Sequence, residues 1–247
     1  MGKAIAKTLA AVLAATAGLL LALDGAEIAS IPVRVLVAAI VTSAVLAAVT
    51  TIGGAWAEWR RRRLGARREL ADVQLSATMW AIVDQVGSGL DFRDLGMAVY
   101  AVGRPWWRPW VTRLRRVHGV RASRRPVASN ISWRPGKGVI GACVQQGEVV
   151  AVDLDQMYAA LGDPTEQEWA EVPADVRLGL SYREYRDVRG KYAVVIASPL
   201  IDDARTPARV RGCVVLDGPK GRFPDLTTTE VHGLLNSTAQ SLLRQVL

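Results

Sequence analysis

Residues 133–153 read WRPGKGVIGACVQQGEVVAVD, and the reading of its glycines decides the fold. Gly136, Gly138 and Gly141 match G-x-G-x-x-G, the pattern that lays a dinucleotide pyrophosphate on a helix N-terminus. That fingerprint needs a buried strand running straight into the first glycine, then a helix long enough to cross the sheet. Here Pro135 stands where the strand would end. Only residues 137–146 have room to be helical before Gly147 stops them and Val149 opens the next strand. A crossover with its helix normally takes at least about 10–12 residues, so this one is at the lower limit. Lys137 is not followed by Ser or Thr, so no P-loop fits either. The glycines read as a tight entry into a short helix that leads to an inner strand, and no cofactor is called for.

Working outward, residues 57–86 hold no proline and form a helix, Gly87-Ser-Gly breaks it, and residues 90–101 resume as a helix. Strands follow at 111–120, at 131–133 and at 149–153, with two more at 192–198 and 210–216. Between the third and fourth strands lie start signals for short helices, Asp163-Pro164 and Thr165-x-x-Glu168, then Val172-Pro173 opening a helix through Tyr185. Thr227-x-x-Glu230 reads as a capping box for a final amphipathic helix whose Val231, Leu235, Leu242 and Val246 share one face. The order is helix, strands, short helices, strands, helix. That is α+β, an antiparallel sheet flanked by helices.

The glycine loop, the helical insert, YAVVIASPLID at 192–202, RGCVVLDGP at 211–219 and the closing helix together resemble a GAF domain over residues 75–247. The resemblance implies about six antiparallel strands with the terminal helices on one face, and dimerisation through those helices. On the other face it implies a small-ligand pocket under the insert. Trp169, Leu178, Tyr182 and Tyr185 would supply its lid, with Tyr192 and Ser198 from the sheet. An apolar pocket with a few polar groups is what a small-molecule site requires; the alternative is that these residues simply fill the core. The chain lacks the Asn-Lys and Asp-Glu pattern of cyclic-nucleotide-binding members, so no cyclic nucleotide is implied. Cys143 and Cys213 do not stand where a bilin would attach. His118 and His232 are haem ligands on paper only, since a lone histidine is more often a surface or satisfied core residue.

The N-terminal part reads differently. Residues 8–23 and 35–56 are uncharged and apolar, and each approaches the roughly 20 residues that cross a bilayer. They are expected to form a two-span transmembrane hairpin over about 4–23 and 35–56. Arg60, Arg61, Arg62 and Arg63 would keep both termini cytoplasmic at the inner membrane, with Trp56 and Trp59 at the interface. A cleaved signal peptide over the first stretch is the rival. Residues 57–86 then become a basic juxtamembrane helix and 87–247 the sensor domain. Leu70, Val73, Ala77 and Trp80 follow the spacing of a coiled-coil seam. Packing of this helix on its own domain explains the pattern equally well.

Charge adds one feature. The formal net charge is +8, most of it N-terminal, yet residues 95–147 carry ten basic residues and no acidic one. Tryptophans interleave the arginines at 104–110, so segment 104–137 has a nucleic-acid reading. It ranks below a solvated or membrane-facing surface because no recognition motif accompanies it. Two cysteines and two histidines exclude a multi-His metal site, and no nucleophile–base pair stands out, so an enzyme ranks last. The expected function is a membrane-tethered sensor or signalling adaptor that binds a small ligand or partner protein and forms a homodimer. Its rival is a membrane effector in which the GAF-like domain gates assembly of the hairpin.

Overall fold

A computed structural model describes residues 18, 22, 32–87, 89–104, 108, 110–123, 129, 131–204 and 206–245. The chain divides into two compact units, 1–66 and 67–247. Helix α1 spans Val33–Val86, 54 residues without a break.

In the first unit, Val33, Val35, Val37, Val41, Val45, Val49, Ile52, Trp56 and Trp59 of α1 are exposed. Among the described residues no helix is long and apolar enough to cross a membrane. The expected two-pass inner-membrane location, with both termini cytoplasmic, is overturned by that finding. The apolar run is interrupted by Thr42, Ser43, Thr50, Thr51, Gly53 and Gly54, and α1 continues through the arginine-rich stretch instead of ending before it. Of the first expected span, all but Gly18 and Ala22 lies outside the described residues. Arg60, Arg61, Arg62 and Arg63 fall within α1, with side chains outside the described set.

The second unit is built on a five-stranded antiparallel sheet, β1 Gly96–Gly103, β2 Arg113–Arg121, β3 Val150–Asp153, β4 Val194–Asp202 and β5 Arg209–Gly218. The strand order is β2-β1-β5-β4-β3. Five strands stand among the described residues where about six were expected. The helix expected over 90–101 is instead a 3-10 turn, Phe92–Asp94, capped by Asp91, followed by β1. β1 lies between β2 and β5, and Gly96 to Val99 are buried in succession. A strand covered on both faces loses the apolar–polar alternation that marks strands.

Four short helices, α3 Leu154–Ala159, α4 Glu166–Glu171, α5 Ala174–Arg177 and α6 Tyr182–Val188, form the insert between β3 and β4. They come after α2 Gly138–Gln146, which leads from the glycine loop to β3. The helix expected from Val172 through Tyr185 is broken at Leu178 and Gly179, both left-handed at φ 49° and 66°. Residues 131–133 form no strand; Trp133 contributes one backbone acceptor to Leu114 N–H at 2.9 Å. After α7 Phe223–Leu226 the closing helix α8 spans Thr229–Gln245. Its cap is Thr228, whose Oγ1 accepts from Val231 N–H at 3.4 Å, whereas the expected cap, Thr227, donates to the Phe223 carbonyl.

Alternation along the strands divides the core into two layers. On one face Ala71, Leu75, Met79 and Ile82 of α1 and Val231, Leu235 and Leu242 of α8 pack on Met97, Val99, Ile196 and Leu216. Full burial of each such leucine or methionine contributes about 1.5–3 kcal/mol. The hydroxyls of Thr78 and Thr238 meet at 2.7 Å and close the helix pair. The seam that α1 presents to its own domain is therefore not the predicted one. Leu70, Val73 and Trp80 remain 48%, 63% and 58% exposed, and Ala77 is exposed with them. On the opposite face α2 and the insert cover Val195, Ala197, Cys213 and Val215.

Candidate functional site

The glycine loop joins the insert to the sheet. Gly138 N–H donates to the Leu178 carbonyl at 2.6 Å, Gly141 N–H to Lys137 and Lys137 N–H to Arg134, both at 3.0 Å. A Cβ on Gly141 would stand 2.2 Å from the Arg134 carbonyl oxygen, so only glycine fits. Lys137 Nζ donates to Glu184 Oε1 at 2.6 Å. Burial raises the Glu184 carboxyl, but its bonds with Lys137 and with Ser181 at the start of α6 outweigh that and hold it below the usual range. The donors that a phosphate cradle would offer to a ligand are taken up here, Gly138 N–H and Lys137 Nζ by the insert and the N–H groups of Gly136, Lys137 and Gly141 within the loop.

A cavity of about 130 Å³ opens between this loop, the insert and the sheet. Val139 and Ile140 of α2, Leu154 of α3, Leu180, and Val195 and Val215 of the strands form apolar walls. Tyr158, 3% exposed, is among the lining residues, and its hydroxyl is buried with no hydrogen-bond partner among the described residues. Burial, then the neighbouring Tyr185, pushes that phenol well above its ordinary range. The charged lining consists of Arg116, Arg121 and Asp217. Arg121 and Asp217 are ion-paired, side by side over Gly96, where a Cβ would strike both. Burial chiefly holds the Arg121 guanidinium below its ordinary value. Tyr100 is pushed up to about 12, by burial first, with Arg116 pulling the other way.

The structure separates the six expected pocket residues. Leu178 and Tyr192 line the cavity. Trp169 and Tyr185 are buried beside it, their rings stacked at 4.1 Å, with Trp169 Nε1 donating to the Leu180 carbonyl at 3.3 Å. Tyr182 packs against Tyr185 at 6.3 Å between ring centres, under the Arg186 guanidinium. Ser198 lies on the other face of the sheet and donates to Asn236 Oδ1 of α8 at 2.6 Å. In β4, Val195 and Ala197 face the insert, so Ser198, one residue on, cannot. Sequence reading missed Tyr158, Arg116, Arg121 and Asp217. Nothing in the sequence singled out Arg116, which follows Arg115 in a strand with four arginines.

Among the described residues the basic run is divided. Arg113 and Arg115 are exposed on β2, while Arg116 and Arg121 line the cavity. His118 Nε2 lies 2.9 Å from Asp72 of α1, and His232 Nε2 is buried without a hydrogen-bond partner among the described residues. Cys143 and Cys213 are buried together, and the hydrogen bond between them, then burial, pushes the Cys213 thiol up. Among the described residues no group of three or more His, Cys, Asp or Glu could hold a metal ion.

No protein-family model and no curated protein matches the chain. Solved structures do. A type II free methionine-R-sulfoxide reductase from Thermoplasma acidophilum is 14% identical, over 73% of this chain and 94% of its own, with a TM-score of 0.42. A structure described as the GAF domain is 11% identical over 70% and 88%, at 0.40. The chromophore-binding domain of a bacteriophytochrome from R. palustris is 17% identical over 75% and 59%, at 0.37.

Proposed function

We propose that residues 67–247 are a GAF-like sensor module that binds a small ligand in the cavity beneath the insert. The chain acts as a signalling adaptor and not as a catalyst. One observation carries the reading: a cavity of about 130 Å³ with apolar walls is lined by Tyr158, whose buried hydroxyl has no hydrogen-bond partner among the described residues. A buried donor left unmade costs about 1–3 kcal/mol, and a ligand acceptor would recover it. The size is that of a cavity that takes benzene, about 150 Å³. A reductase reading has less support, because thiol chemistry needs an accessible thiolate and both thiols are buried, that of Cys213 held protonated.

A second copy of the chain is the partner favoured by Leu70, Val73, Ala77 and Trp80, which α1 leaves exposed at seam spacing. Light scattering on the full chain should report a dimer that Val73→Glu dissociates. An unchanged mass in that variant would remove the dimer from the proposal.

Ligand binding is tested by native mass spectrometry of the full chain. A co-purified small molecule is expected in the wild type and absent from Ala98→Leu, which narrows the cavity from β1. Equal retention by both proteins would place the ligand elsewhere and sink the reading.

A further inference from the structure

Resting on that cavity reading, we infer that its ligand is a small organic monoanion, an aromatic or short-chain carboxylate, with its charged end at Arg116 and its body against the apolar walls. The charges lining the cavity are two guanidinium groups and one carboxylate, and the Arg121–Asp217 pair cancels one of each. Arg116 is left with no carboxylate partner among the described residues. Its guanidinium lies over Gly119, where a Cβ would come within 2.0 Å of it, so the missing side chain at Gly119 gives the arm its place. Arg116 is exposed while Tyr158 is buried. Both line the same cavity, with the arginine at the mouth and the phenol in the depth.

A ligand satisfying both ends carries an anion outward and an apolar body inward, with a hydrogen-bond acceptor for Tyr158 where it has one. A carboxylate suits the outer end because guanidinium presents a planar fork of donors that matches it. A dianion such as a phosphate monoester would meet one free guanidinium and the Asp217 carboxylate, so the charge count favours a single negative charge. The volume of about 130 Å³ has room for a body of roughly one aromatic ring, with the carboxylate outside it at Arg116.

The test is calorimetric titration of the full chain with benzoate, 4-hydroxybenzoate, benzamide and sodium nitrate. Benzoate is expected to bind at least about tenfold tighter than benzamide, the factor that one charge-assisted hydrogen bond supplies. Arg116→Gln should erase that margin while leaving benzamide binding unchanged. Tyr158→Phe should weaken 4-hydroxybenzoate and spare benzoate. Equal affinity for benzoate and benzamide, or a margin that survives Arg116→Gln, would overturn the anion and leave the cavity a neutral-ligand site. Nitrate binding as tightly as benzoate would overturn the apolar body. If none of the four binds, this ligand class is wrong, and the Ala98→Leu comparison separately decides whether the cavity binds anything.

Discussion

The two faces of one sheet are built from the same five strands and have opposite characters. The face under α1 and α8 is dry: Leu75, Met79, Ile82, Ile196, Leu216, Leu235 and Leu242 are all fully buried. Its buried hydroxyls are paired, Thr78 with Thr238 and Ser198 with Asn236. The face under the insert keeps a cavity, an ion pair beside it and two buried phenols, Tyr158 and Tyr185, without a hydrogen-bond partner among the described residues. Two-residue alternation along each strand assigns one set of side chains to stability and the other to the site. Substitutions a single position apart should therefore behave differently.

The largest effect is expected on the dry face. Leu235→Ala should cost about 2–5 kcal/mol, by lost transfer and by the void it leaves, read as a lower denaturation midpoint. In the first turn of α2, Gly141→Ala forces its Cβ onto the Arg134 carbonyl. A loss of about 1–3 kcal/mol is expected, as for other overpacked sites; a neutral result would mean the loop gives way freely. On the cavity face the sign should reverse. Tyr158→Phe removes a buried hydroxyl that has no partner among the described residues, and should stabilise the ligand-free chain by about 1 kcal/mol. If it destabilises as Leu235→Ala does, the insert face is ordinary core and the contrast fails.

The last effect is alkaline and appears only outside the neutral range. Tyr100 ionises near 12 in the folded chain against an ordinary value of 10.0. As pH rises between those values the unfolded state gives up its proton first, so stability present below pH 10 is lost progressively towards 12. Unfolding measured across this window should show a shallower decline for Tyr100→Phe. An identical slope would mean that Tyr100 is as well solvated as in the unfolded chain.

Much of the scaffold was legible in the sequence because its signals are local. The glycine loop, the helix after it, four of the strands and the capping box at Thr165 all announce themselves within a few residues. β1 did not, because a strand buried on both sides carries no alternation to distinguish it from a helix. The closing cap moved by one residue: Thr227, which alone has a glutamate three positions on, gives its hydroxyl to the Phe223 carbonyl of the preceding turn and leaves the cap to Thr228. For the site, the pocket residues came from the family resemblance and not from any local signal. Leu178 and Tyr192 line the cavity, while Ser198 falls on the other face by strand parity, which depends on where pairing starts. Arg116 and Tyr158 stand 42 positions apart in the chain, and only the packing of β2 against the insert brings them to one cavity.

The attachment of the insert bears on how such a chain can diverge. Near the glycine loop it is held by the Leu178 carbonyl on Gly138, by Gly179 against the Gly136 carbonyl and by Glu184 on Lys137. These anchors fall within seven residues, from Leu178 to Glu184, and two of the three are main-chain contacts. The insert's other fixed points are its buried side chains, among them Leu154, Tyr158 and Trp169, so its exposed positions are the ones free to change while those and the short segment keep their place. The segment works as a socket for an exchangeable cassette. A graft that preserves Leu178, Gly179 and Glu184 and refills the buried positions would carry a new cavity roof, and hence a new ligand preference, onto an unaltered sheet.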